Sequence, residues 1–130
     1  MTKKVVDVVI PDGYKISSAE REAAWILANH YKTIVRVLRP TDRYMEKTAD
    51  FSIDDSQFEL KTPTSAQVKN VEKMVRQATK QSENVVIDSR KTKITEKRMV
   101  EICVELLAII KNLRRIVLIV NKKKILDFYK

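Results

Sequence analysis

At 130 residues with 44% apolar content, one glycine and three prolines, the chain is long enough for one hydrophobic core and too balanced for a low-complexity or linker protein. Its single cysteine, Cys103, excludes an intramolecular disulfide, its single histidine, His30, excludes a Cys/His metal site, and no apolar run approaches the roughly 20 residues that span a membrane. The formal net charge is +9 and uneven: residues 1–60 carry 9 Lys/Arg against 10 Asp/Glu, residues 61–130 carry 17 against 7. Such a field attracts polyanions, or else serves solubility alone.

The start, Met1 to Asp7, places an acid inside a short apolar stretch and makes a poor signal peptide. Val5–Ile10 reads as an extra edge strand or an arm. Ser17 and Ser18 precede a helix over Ala19–Ala28, whose apolar stripe is Ala24, Leu27, Ala28 and Tyr31, and Ser17-x-x-Glu20 has the spacing of a capping box. Trp25 and Tyr31 read as packing residues, and His30 as a residue at the helix end. Ile34–Leu38 alternates as a strand closed by Pro40, and residues 41–49 form a polar loop. Phe51–Asp54 and Gln57–Thr62 form a hairpin around Asp54-Asp55-Ser56, with Pro63 ending the second arm.

The spacing of Val68, Val71, Val75 and Ala78 predicts a helix over Ser65–Gln81. Asn84–Asp88 is a short apolar strand. Thr95–Leu113 is a long helix with Met99, Ile102, Cys103, Leu106, Leu107 and Ile110 inside, Cys103 being a small core residue. Arg115–Val120 reads as a buried central strand, and Ile125–Tyr129 as a last strand after the Asn121–Lys124 turn. The order α-β-β-β-α-β-α-β-β predicts one α/β domain over residues 1–130, a mixed central sheet with flanking helices.

The chemistry concentrates in the hairpin, Asp50-Phe51-Ser52-Ile53-Asp54-Asp55-Ser56-Gln57-Phe58-Glu59-Leu60-Lys61. Side chains at i and i+2 of a strand share a face, so Glu59 and Lys61 point the same way and Asp50 can lie opposite them. Two carboxylates and an ammonium at one end of a small sheet suit a divalent metal and an attacking water. Asp50 and Glu59 are the candidate metal ligands, or else line a solvated hairpin face. Lys61 is the group that would orient water or neutralise charge developing on phosphorus, or else a surface lysine. Glu20 lies on the packing side of its helix with Ala24 and Leu27. It is either the third residue of the capping box or an acid aimed at the hairpin, and Glu22 points away. Asp54 and Asp55 read as turn residues, and Asp88 as the end of a strand. Lys80, Lys91 and Lys93 are candidate nucleic-acid contacts, and Lys122-Lys123-Lys124 is a charged turn or a further one.

With an acid and Glu-x-Lys on its second and third strands, the element order resembles the PD-(D/E)xK, or restriction-endonuclease-like, superfamily. More narrowly, Glu20-x-x-x-Ala24-x-x-Leu27-Ala28, Lys47-Thr48-Ala49-Asp50-Phe51, Phe58-Glu59-Leu60-Lys61-Thr62-Pro63 and Lys80-Gln81-Ser82-Glu83-Asn84-Val85-Val86-Ile87-Asp88 resemble the C-terminal tRNase domain of CdiA-type contact-dependent growth inhibition toxins, over roughly residues 15–130. Ala49 stands where that pattern has proline before the first acid. The resemblance implies a nuclease sandwich, metal-dependent cleavage of RNA, in particular tRNA, and a cognate immunity protein. It implies catalytic roles for Glu20, Asp50, Glu59, Lys61 and Gln81, the last holding phosphate or water. The implied ion is Mg²⁺ first, with Mn²⁺ or Zn²⁺ as alternatives, and the implied site of action is the bacterial cytoplasm of a target or host cell. The chain reads as an excised toxin domain or a stand-alone relative. The competing expectations are a DNA nuclease of the same fold and a silent nucleic-acid-binding or protein-interaction module.

Overall fold

The computed structural model of the protein describes residues 5–39 and 49–130. The expected loop at 41–49, apart from Ala49, and the strand-closing Pro40 lie outside these residues. Seven strands and three helices are found among the described residues: β1 (Asp7–Val9), α1 (Ser18–Tyr31), β2 (Ile34–Val37), β3 (Phe51–Ile53), β4 (Ser56–Lys61), α2 (Val68–Ala78), β5 (Asn84–Asp88), α3 (Glu96–Ile109), β6 (Arg115–Asn121) and β7 (Lys124–Tyr129). This is the expected order with the edge strand formed.

The strands make one mixed sheet in chain order, β1 to β7. The pairs β1–β2, β4–β5 and β5–β6 are parallel and the others antiparallel, so only β3 and β7 run against the rest. Alternation decides which layer each side chain joins. Val35, Val37, Phe51, Ile53, Phe58 and Leu60 pack with Ala23, Ala24, Leu27 and Ala28 of α1 on one face. Val85, Ile87, Ile116 and Leu118 pack with α2 and α3 on the other. Strands β5 and β6 are buried on both faces, which is why they read as unbroken apolar runs. Cys103 is fully buried in the α3 layer, and burial pushes its thiol up to about 12, as befits a core residue.

Local chemistry sets the element ends. The Ser17 side chain accepts from the Glu20 N–H at 3.1 Å to start α1. Lys32 enters the left-handed region (φ 55°) and the Thr33 N–H returns to the Ala28 carbonyl at 3.1 Å to stop it. Trp25 is not a packing residue: it lies on the outer face of α1, 40% exposed. Helix α2 is shorter than its periodicity predicts. The Ser65 hydroxyl accepts from the Gln67 N–H and the Asn70 side chain, each at 3.0 Å, and holds the entry as a turn. Helix α3 stops at Ile109, four residues early, where the Lys130 ammonium takes the Ile110 and Lys111 carbonyls at 2.8 and 3.1 Å.

The β3–β4 hairpin has a two-residue turn, Asp54-Asp55, between paired Ile53 and Ser56. Both turn residues have positive φ, 49° and 68°, the type I′ form whose twist matches the strands. Ser56 therefore belongs to the strand and not to the turn. Asp55→Gly is expected to keep or raise stability, whereas Asp55→Val is expected to lower it by about 1–2 kcal/mol in urea denaturation, because a branched side chain resists the left-handed region. Equal effects of the two substitutions would contradict this turn.

Candidate functional site

Parallel strands gather their C-terminal ends at one end of a sheet, the usual place for a ligand crevice in such folds. Here that end carries the start of α1, the segment after β4, the segment after β5 and the β6–β7 turn. Antiparallel β3 begins there, which brings Asp50 to the same place. A cleft of about 480 Å³ opens among them.

Register builds its centre. Phe51 pairs with Phe58, and the Asp50 N–H donates to the Phe58 carbonyl at 3.0 Å, so Asp50 stands opposite Glu59. The Asp50 carboxylate accepts the Leu60 N–H at 2.8 Å, which fixes its direction. Phe58 and Leu60 point into the α1 layer, so Glu59 and Lys61 share the opposite face. The Lys61 ammonium lies 3.9 Å from the Glu59 carboxylate. Burial first, and then the charge of Asp50, push Glu59 up to about 7 against the pull of Lys61.

Glu20 comes from the first turn of α1 to line the same cleft. Burial and then the Asp50 charge raise its pKa. Glu22 points elsewhere, pairing with Arg90 at 2.8 Å and Lys122 at 3.4 Å. Only half of the capping-box reading describes Glu20: its backbone takes the Ser17 cap while its carboxylate faces the acids.

The structure does not bring Gln81 or Lys80 to this cleft. A helix joining two parallel strands runs against them, so the end of α2 lies at the opposite end of the sheet. The following turn is tied there, with the Ser82 hydroxyl and the Asn84 amide both bonded to the Gln57 carbonyl, at 2.7 and 3.1 Å. Lys91 does line the cleft, and Lys93 is exposed two residues further on. Tyr14 escaped the sequence reading. Burial, then the nearby charges of Glu20 and Asp50, raise its pKa, although it does not line the cleft itself. Nothing in its spacing marks it, because only the packing of the segment before α1 brings it there.

Among the described residues, no three His, Cys, Asp or Glu side chains converge into a metal cage. The two opposed carboxylates of Asp50 and Glu59 still fit Mg²⁺, which commonly takes one or two carboxylates and keeps several waters. The β3–β4 register sets the two side chains opposite each other, and a divalent cation placed there would offset their like charge.

A central sheet with helices on both faces and an acid-lined cleft at the ends of its parallel strands defines the class of α/β domain. Within that class, residues 47–125 match the family model described as Contact-dependent growth inhibition CdiA C-terminal domain. That is more than half of the chain, and the chain belongs to this family. The matched segment includes Asp50, Glu59 and Lys61 and stops short of Glu20. The fold is similar to that of a chain in the CdiA-CT/CdiI toxin and immunity complex from Burkholderia pseudomallei, with a TM-score of 0.72 over 95% of this chain and 99% of that one at 15% identity. No curated protein sequence matches the chain.

The raised Glu59 pKa has a signed consequence. Unfolded, this side chain ionises in the usual glutamate range; folded, it holds its proton up to about pH 7. Stability from this group is present at low pH, falls as pH rises between those values and levels off above about 7. Glu59→Gln is therefore expected to be on the order of 1–2 kcal/mol more stable than wild type at pH 8, with little gain at pH 4, in urea denaturation. The same gain at both pH values would contradict a raised Glu59 pKa.

Proposed function

We propose that the chain is a toxin domain that cleaves RNA, tRNA in particular, by the metal-dependent chemistry of the PD-(D/E)xK nucleases. The observation that carries this reading is the placement of Asp50 opposite Glu59, with Lys61 3.9 Å from Glu59, in a cleft that also holds Glu20. Asp50 and Glu59 would hold the ion, Mg²⁺ or in its place Mn²⁺ or Zn²⁺. A bound divalent ion would neutralise phosphate charge and make water more acidic.

The chain's own groups supply the rest. Lys61, its side chain 25% exposed and its ammonium 3.9 Å from Glu59, would meet negative charge as it develops on a scissile phosphate. Glu20 completes the acidic cluster from the helix side. Lys91 at the cleft and Lys93 beyond it would take flanking phosphates. Lys122 and Lys123 turn at the same end of the sheet and extend that basic rim. Lys80, at the other end, has no place in it. Members of the PD-(D/E)xK superfamily share a sheet with helices on both faces, and this architecture is consistent with that assignment. The Burkholderia structure is that of a toxin and immunity complex, and a cognate immunity protein for this chain is part of the same reading. So is action in the cytoplasm of a target bacterium. Among the described residues no helix is long and apolar enough to cross a membrane.

Purified protein is expected to cut tRNA but not plasmid DNA, to stop in EDTA and to resume with Mg²⁺. Glu59→Ala is expected to abolish cleavage. Lys61→Ala is expected to lower kcat by about 10²–10³ with little change in KM. Both variants are expected to keep salt-sensitive tRNA binding, because the basic rim supplies most of the attraction. Cleavage that persists in EDTA would rule out the metal route. Cleavage of plasmid alone would make the domain a DNA nuclease, and binding with no cleavage would make it a silent module.

A further inference from the structure

Asp88, at the end of β5, is the one charged residue wholly buried among the described residues. A buried carboxylate needs a partner that satisfies it fully. Arg90 turns back upon it. Its Nε donates to Oδ1 at 2.8 Å and its Nη2 to Oδ2 at 2.7 Å, a planar two-point fork. The same guanidinium continues to α1, where Nη1 pairs with the Glu22 carboxylate at 2.8 Å and Nη2 reaches the Ala19 carbonyl at 3.5 Å. Ala19 and Glu22 flank Glu20 in the chain.

The rest of α1 is held in other ways. Its fully buried residues begin at Ala23, so Ser18 to Glu22 contribute none of them. Its far end is anchored by the Tyr31 hydroxyl, which donates to Asp127 beside Arg115. The first turn is held by Arg90, by the Ser17 cap and, from an exposed lysine, by the Lys122 ion pair with Glu22 at 3.4 Å. Arg90 does not line the cleft, whereas the next residue, Lys91, does.

We propose that Arg90 is a positioning residue: pinned by buried Asp88, it holds the first turn of α1 against the end of β5, so that Glu20 is presented to Asp50 and Lys91 to the cleft. This rests on the reading of the cleft as a nuclease site. Lysine keeps the charge of arginine and loses the fork, so charge alone does not replace it.

The test follows hydrogen exchange in the peptide at 17–24 by mass spectrometry, beside tRNA cleavage, in wild type, Arg90→Lys, Glu22→Gln and Glu72→Gln. Arg90→Lys is expected to speed exchange there about tenfold and to lower kcat about tenfold at unchanged KM. Glu22→Gln is expected to do the same more weakly, because the Asp88 fork survives. Glu72→Gln, which breaks an exposed ion pair on α2, is expected to change neither reading. Should Arg90→Lys not fold, Glu22→Gln decides by the same two readings. Unchanged exchange and kcat would overturn the proposal. So would exchange rising throughout the molecule, which makes Arg90 a general brace, or a raised KM at unchanged kcat, which makes it a substrate contact. If wild type cleaves no nucleic acid, the nuclease reading fails by itself. A local rise in exchange would then still support the anchoring of the turn, and no rise would overturn that as well.

Discussion

Asp50 and Glu59 are held side by side by the hydrogen-bond register of β3 and β4, and the chemistry of the cleft follows from that enforced contact. Two carboxylates left to themselves would separate. Here the backbone forbids it: the Asp50 N–H is bonded to Phe58, its carboxylate to the Leu60 N–H, and Phe51 and Phe58 are locked in the core beneath. Burial first, and then the charge of the Asp50 so held, leave Glu59 ionising only near pH 7. Burying such groups without compensation is unfavourable, and Lys61 offsets only part of it. On the proposed reading, a divalent cation would offset the rest.

The remainder of the sheet serves that end of the molecule. Apolar packing on both faces makes β5 and β6 a rigid centre, against which β4 is paired in parallel. That pairing sets Glu59 beside Val85 and Lys61 beside Ile87, and it leaves the segment after β4 to wall the cleft. The start of α1 closes the other wall. Apolar burial fixes most of this helix and ends one turn short of Glu20, and there the Asp88–Arg90–Glu22 chain of ion pairs takes over. Core and cleft are thus joined by polar contacts at the place where an acid must be aimed and not merely buried.

Much of this was legible in the sequence, because strand alternation is strict. Glu59 and Lys61 share a face whatever surrounds them, whereas Asp50 falls opposite Glu59 only because the turn is Asp54-Asp55 and not the expected Asp54-Asp55-Ser56. The Ser17 cap, the short apolar β5 and the buried central β6 were readable for similar local reasons. What was not readable depended on competition or on distance. Ser65 draws backbone into a turn that the Val68–Ala78 periodicity cannot reveal, and Lys130 meets the end of α3 from 20 residues away. Gln81 and Lys80 were expected near the site from motif position alone, whereas the direction of α2 carries them to the opposite end of the sheet. Tyr14 and Arg90 carry no motif at all. Their neighbours are set by how the segment before α1 and the segment after β5 pack, and no spacing rule records that.

The coupled pair at Asp50 and Glu59 is open to direct observation through the carboxyl ¹³C resonance of Glu59, followed against pH with and without Mg²⁺. The account predicts half-titration near pH 7 in the free protein, a fall toward the ordinary glutamate range in Asp50→Asn, and a fall in wild type when Mg²⁺ is added. Half-titration in the ordinary range, unmoved by Mg²⁺ or by Asp50→Asn, would contradict it.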